Sequence, residues 1–153
     1  IMKKIIGLLV IGFLFVSCKV LLSSNEPVSK VVKVTGINQN ELYVRSNNWM
    51  VNIFKNAKSV IQFTDKESGV ITGKYLLAQV SQSSQYAAAQ YVYAVINIQV
   101  KDGAAKITVT PGAFNYIKGN PYSIYSPEQA KIDVDKLITE FEIYIVKKVD
   151  KNW

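Results

Sequence analysis

The side chains able to do chemistry are few, and most are disarmed by what is missing around them. The chain has no histidine, which removes the commonest general base and the commonest metal ligand. Its serines have no imidazole to activate them, and nothing in the spacing supports the other arrangement, a serine with Lys74 as base. Asp65, Glu67 and Asp102 are the acids set in turns, but Asp65-Lys66-Glu67-Ser68-Gly69 lacks the length and ligand number of a calcium loop. Asp133/Asp135 and Glu140/Glu142 stand two apart on a predicted helix, so they point to different faces and read as surface charges. No catalytic residue, metal or cofactor is expected, and the chain reads as non-enzymatic.

One reactive group remains. Cys18 is the single cysteine. It follows Lys3 and Lys4, an uncharged apolar run from Ile5 to Val16, and the small residue Ser17. That layout is a secretory signal peptide, and the run is too short for a membrane span, which needs roughly 20 residues. A cysteine directly after the small residue resembles a bacterial lipoprotein signal, although Phe15 stands where such signals usually carry Leu. The resemblance implies cleavage before Cys18 and lipid on it. Each buried methylene contributes about 0.8 kcal/mol, so two or three chains make a durable anchor. The expected division is 1–17 signal peptide, 18–27 lipidated polar tether and 28–150 folded domain. Lys19 after the cysteine resembles outer-membrane sorting, which gives an envelope localisation, periplasmic or surface-facing.

Residues 18–153 suffice for one domain. With one cysteine there is no internal disulfide, so stability must come from the core. Losing Lys3 and Lys4 lowers the net charge from +7 to +5. All the basic residues but Arg45 are lysine. Arginine is the residue that reads phosphate and base edges bidentately, so its scarcity, with the envelope location, argues against nucleic acid as partner.

These residues must be positioned by the elements that follow. Val28 to Ile37 is β-branched and reads as a strand ended by Gly36. Asn38 with Glu41 three residues on has the form of a helix start. That helix runs to about Asn56, with Leu42, Trp49 and Ile53 on its apolar side and Tyr43, Met50 and Phe54 beside them. A second strand reaches Asp65, with Ile61 and Phe63 on one face and Gln62 and Thr64 on the other. A third runs from Val70 to Val80, where Gly73 suggests a bulge or close packing against a helix. Ser81 to Gln90 reads as a long hairpin loop. Tyr91–Val100 and Ala104–Thr110 alternate cleanly about the Asp102-Gly103 turn. Ala113 to Tyr125 is irregular and aromatic. Ser126 caps a last helix, with Pro127 at its first position, running to about Lys148. Its buried stripe is Ala130, Val134, Leu137, Ile138, Phe141 and Ile145, and Lys147, Lys148 and Lys151 suit the negative pole of its dipole. The order strand, helix, four strands, helix makes an α+β fold: a curved antiparallel sheet of about five strands with both helices on one face.

The block from Glu41 to Lys74 supports a further identification. It holds an acidic residue and a tyrosine opening the helix, Trp49 and Phe54 within it, the run Lys58-Ser59-Val60-Ile61-Gln62-Phe63-Thr64-Asp65-Lys66-Glu67-Ser68-Gly69, then Ile71 and Gly73-Lys74. With Val100-Lys101-Asp102-Gly103 and the strand after it, this resembles a family of bacterial envelope domains of unknown function with a TATA-binding-protein-like (TBP-like) fold. The resemblance spans about Val28 to Lys148. It implies the same α+β fold and carries no functional residues.

The uncovered sheet face is the candidate site. Tyr91, Tyr93, Asn97, Gln99, Lys106, Thr108 and Lys74 should project from it, with Thr110, Gln62, Thr64 and Thr72. Such a mixture suits an envelope protein, peptide or glycan partner, or is the solvated side of a half-buried sheet. The first expectation is a membrane-anchored binding module using this face or the Ala113–Tyr125 segment. The alternatives are a self-associating assembly subunit and, more weakly, a hydrolase without histidine.

Overall fold

The computed structural model of the chain describes residues 20–23, 25–55 and 58–147. The predicted signal peptide, Cys18 and the end of the chain from Lys148 lie outside the described residues.

The elements are β1 (Val20–Leu22), β2 (Val28–Lys33), α1 (Gln39–Ile53), β3 (Val60–Asp65), β4 (Val70–Ser81), β5 (Gln90–Lys101), β6 (Ala104–Pro111), β7 (Asn115–Ile117) and α2 (Pro127–Val146). β2, β6, β5, β4 and β3 form, in that order, one antiparallel sheet, while β1 and β7 form a separate pair. The curved five-stranded sheet with two helices on one side is the expected architecture. Among the described residues no helix is long and apolar enough to cross a membrane.

Both helices begin as their sequences dictate. The Asn38 side chain accepts from the Glu41 amide at 2.9 Å, and the Ser126 hydroxyl accepts from the Gln129 amide at 3.2 Å with Pro127 leading the first turn. The six-residue stripe expected on α2 is buried in full. On α1 the buried residues are Leu42, Arg45, Ser46, Trp49 and Met50. Trp49 meets Phe141 edge-on at 5.1 Å, joining the helices above the sheet, and Ile71, Ile96, Ile98, Ile107 and Val109 rise to meet them. Each such side chain contributes about 1.5–3 kcal/mol on burial. Gly73 marks close approach: a Cβ there would come within 2.6 Å of Met50 and Phe54.

Five expectations are corrected. The first strand stops at Lys33 and α1 at Ile53, where Phe54 leaves helical geometry (φ −84°, ψ 47°) although its amide still donates to the Met50 carbonyl. The segment 18–27 is only in part a tether. Val20–Leu22 pairs with Asn115–Ile117, and Ser23 is buried against Phe114, its amide donating to the Phe114 carbonyl and its hydroxyl accepting from the Phe114 amide. Those bonds satisfy backbone groups that a free segment would leave to water. α2 ends at Val146 with no basic residue in its last turn. Finally, a bulge between Ile61 and Phe63 changes which side chains of β3 face the helices.

Candidate functional site

The face turned away from the helices is laid out by cross-strand pairing, since directly opposed residues project to the same side. One row reads Val70, Gln99, Lys106, Val31. The next reads Phe63, Thr72, Asn97, Thr108, Ser29, and a third Val60, Lys74, Val95, Thr110. Leu76 and Tyr93 form a fourth, with Gln79 and Tyr91 beyond it. All seven candidate residues, Tyr91, Tyr93, Asn97, Gln99, Lys106, Thr108 and Lys74, therefore share this face.

Two expected members do not. The bulge in β3 sets Thr64 opposite Ile71, on the helix side, and Phe63 opposite Thr72, on the open side; Gln62 falls at the irregularity. A bulge adds one residue to one strand and reverses the alternation beyond it. Phe63, expected beside Ile61, is thus exposed at 54% on the open face.

That reversal changes the character of the surface. Val31 (58% exposed), Val60, Phe63 and Val95 are all exposed on it, with Leu76 half-buried. Four of its polar side chains are paired with one another. The Asn97 amide donates to the Thr72 hydroxyl at 2.8 Å, and the Ser29 and Thr108 hydroxyls share a bond of 2.8 Å. Lys74 lies over the Tyr93 ring at 4.2 Å and Lys58 over the Tyr91 ring at 3.4 Å, so two cations sit on aromatic faces. Val31, Gln99 and Lys106 border a shallow hollow of about 290 Å³. Asn97, Thr72, Ser29 and Thr108 can be covered at low desolvation cost because they keep these partners, while Gln99, Lys106 and Lys74 still present exposed polar atoms.

Two of the acids set in turns, Asp65 and Asp102, serve the backbone. Asp65 accepts from the Glu67 and Ser68 amides at 3.0 and 3.1 Å and from the Ser68 hydroxyl at 2.7 Å. The Ser68 bonds hold its carboxyl below the usual range. Asp102 accepts from the Gln39 amide at 2.7 Å, at the start of α1. Asp133, expected as a surface charge, is half-buried and accepts from the Tyr125 hydroxyl at 2.7 Å and the Gln129 side chain at 2.9 Å. It borders a second hollow, of about 410 Å³, between the helices and β4, with Tyr75 and Glu140. Burial, then the charges of Glu140 and Asp133, push the Tyr75 phenol up.

The fold and this face can be set against known proteins. A family model described as a domain of unknown function (DUF4468) with TBP-like fold matches residues 29–116. The chain belongs to the DUF4468 family. The matched span takes in the five strands of the open face and α1, and stops short of α2. A DUF4468 family protein from Bacteroides ovatus ATCC 8483 is 17% identical, covers 83% of this chain and 88% of its own, and superposes with a TM-score of 0.55. A TBP-like protein from Parabacteroides distasonis ATCC 8503 is 12% identical, covers 80% of this chain and 94% of its own, with a TM-score of 0.56. At these identities the likeness concerns the fold alone. A search of curated proteins gave no match. For this DUF4468 domain, the candidate site rests on its own side chains.

Proposed function

We propose that this DUF4468 protein is a non-enzymatic bacterial envelope lipoprotein, anchored by lipid at Cys18, that binds a protein partner across its open sheet face. The observation that carries the binding reading is that Val31, Val60, Phe63 and Val95 are all exposed on one face, on which Asn97, Thr72, Ser29 and Thr108 are already paired. Val60 and Phe63 stand on the β3 edge, Val95 in the middle and Val31 on the β2 edge, so apolar side chains are spread across the face between polar ones. Exposed apolar side chains on one face suit an interaction surface. A glycan site needs unpaired donors and acceptors converging on a sugar, and Asn97 and Thr108 spend theirs within the sheet. The anchor reading rests on the lysines, the apolar run and the Ser17-Cys18 step. An outer-membrane location follows the weaker cue of Lys19.

The test places a photo-crosslinking amino acid at Phe63, Val95 or, as a control among the helices, Lys136, in cells that process the signal. A discrete heavier species from the two sheet positions and not from Lys136 supports the binding role. A species of twice the chain mass would instead make the partner a second copy. No adduct from either sheet position sinks the reading. Intact mass of the membrane-extracted protein beside Cys18→Ala decides the anchor: acyl chains present in the first and lost in the second are expected.

A further inference from the structure

The domain has one end unlike the other. β4 and β5 are twelve-residue strands, so their ends lie roughly 35–40 Å apart at about 3.3 Å per residue. At one end, the turns between β3 and β4 and between β5 and β6 carry Asp65, Lys66, Glu67, Lys101 and Asp102. At the other, residues 81–90 and 112–127 contain no acid and a single charge, Lys118. This sparsely charged tip exposes aromatic and aliphatic side chains. Tyr86 is 88% exposed and Tyr122 53%, and both border one hollow; Ile124 is exposed beside them.

The tip is held as a unit. The Gln82 amide donates to the Tyr122 carbonyl at 3.3 Å, the Ile124 amide to the Val80 carbonyl at 3.1 Å, and Ser81 bridges Ser123. The chain also enters the domain at this end. Val20 is paired with Ile117, whose amide donates to the Ser123 hydroxyl at 3.4 Å. In sequence, Val20 is two residues from Cys18.

From these juxtaposed features we infer that the tip formed by Tyr86, Tyr122 and Ile124 rests in the headgroup layer of the bilayer that holds the anchor. This rests on the lipid-anchor reading above. Tyrosine suits that layer because its ring is apolar and its hydroxyl seeks water. The two loops carry no acid of their own, but Glu26 and Glu128 border them and Glu128 offsets the charge of Lys118, so the contact is carried by the tyrosine rings and Ile124 rather than by charge. A lipid on Cys18 brings the bilayer to within two residues of Val20, and the β1–β7 pairing fixes which end of the domain meets it. β4 and β5 then run away from the membrane, and the open face is turned sideways, toward a partner standing on the same surface.

The test uses the full-length protein purified from membranes and reconstituted in phosphatidylethanolamine–phosphatidylglycerol vesicles. These are doped with a phospholipid bearing a diazirine near its headgroup. After irradiation, lipid adducts are mapped by peptide mass. Adducts are expected on peptides containing Tyr86 and Tyr122 and absent from those containing Lys66 and Asp102; Tyr86→Ser with Tyr122→Ser should lower the tip yield. Adducts missing from the tip, or as frequent at Lys66, would overturn the inference. The same sample's intact mass reports the anchor separately. Acylated protein without tip adducts removes the orientation and leaves the anchor. Unacylated protein with tip adducts removes the anchor and leaves a tip that binds lipid on its own.

Discussion

The guanidinium of Arg45, in the middle of α1, donates to the carbonyl of Ile145 at 3.0 Å, in the last turn of α2. It also donates to the Lys147 carbonyl at 3.1 Å and to the Glu41 carboxylate at 2.6 Å. A helix end leaves its last carbonyls unpaired and carries partial negative charge. α2 has no basic residue in its last turn, so the chain's single arginine supplies the positive charge from the neighbouring helix.

Arg45→Met should therefore destabilise the fold by about 2–4 kcal/mol, since hydrogen bonds from a charged donor contribute about 1.5–3 kcal/mol and the abandoned carbonyls stay buried. Arg45→Lys should recover little, because one ammonium cannot reproduce the planar fork that reaches two carbonyls and a carboxylate. Urea unfolding of both variants checks this. A lysine variant as stable as wild type would reduce the contact to simple charge.

A second long-range tie joins the β5–β6 turn to the start of α1. Asp102 accepts from the Gln39 amide at 2.7 Å, across 63 positions of sequence. The carboxylate satisfies an orphan amide and faces the positive end of the helix dipole. Asp102→Ala is expected to lower stability by about 1 kcal/mol, and Asp102→Asn by less, because the amide oxygen can still accept. Thermal melts of both would rank them, and equal losses would show that charge outweighs the hydrogen bond.

The open face predicts the opposite pattern. Phe63→Ser with Val95→Thr alters two exposed side chains, so the melting temperature should hardly move; surface changes stay within about 0.5 kcal/mol each. The partner adduct formed from a neighbouring position on that face should nonetheless be lost. Adduct formation undiminished in the double variant would exclude this face as the contact.

Much of this was legible from residue order, and the failures have local causes. The α2 stripe and the β5 alternation are strict periodicities, and the structure buries the residues they select. Gly73 correctly signalled close packing, with Met50 and Phe54 filling the space where a side chain would stand. The bulge in β3 was not legible, because Ile61-Gln62-Phe63-Thr64 alternates as smoothly as an unbroken strand. Pairing with β4 decides the register, and no local residue announces it. Phe63, among the most informative residues of the face, was misplaced for that reason. The β1–β7 pair was missed because three-residue strands carry too little pattern, and Val20-Leu21-Leu22 sits beside polar residues that read as tether. The role of Arg45 was not legible, because its partners on α2 lie about a hundred positions away.

The last prediction concerns alkaline pH. Burial raises the pKa of both Tyr75 and Tyr125; nearby Glu140 and Asp133 add to it at Tyr75, and the hydrogen bond to Asp133 adds to it at Tyr125. The folded state thus holds these phenol protons more tightly than the unfolded chain, whose tyrosines titrate near pH 10. The resulting stability is complete below about pH 10 and is lost as pH rises through the folded values. Urea midpoints should be level through neutral pH and fall above about pH 10. Tyr75→Phe should soften that fall with little change at neutrality. Tyr125→Phe should soften it too, but at a loss of about 1–2 kcal/mol at pH 7 from the missing bond to Asp133. An alkaline fall unchanged in both variants would exclude these two phenols as its source.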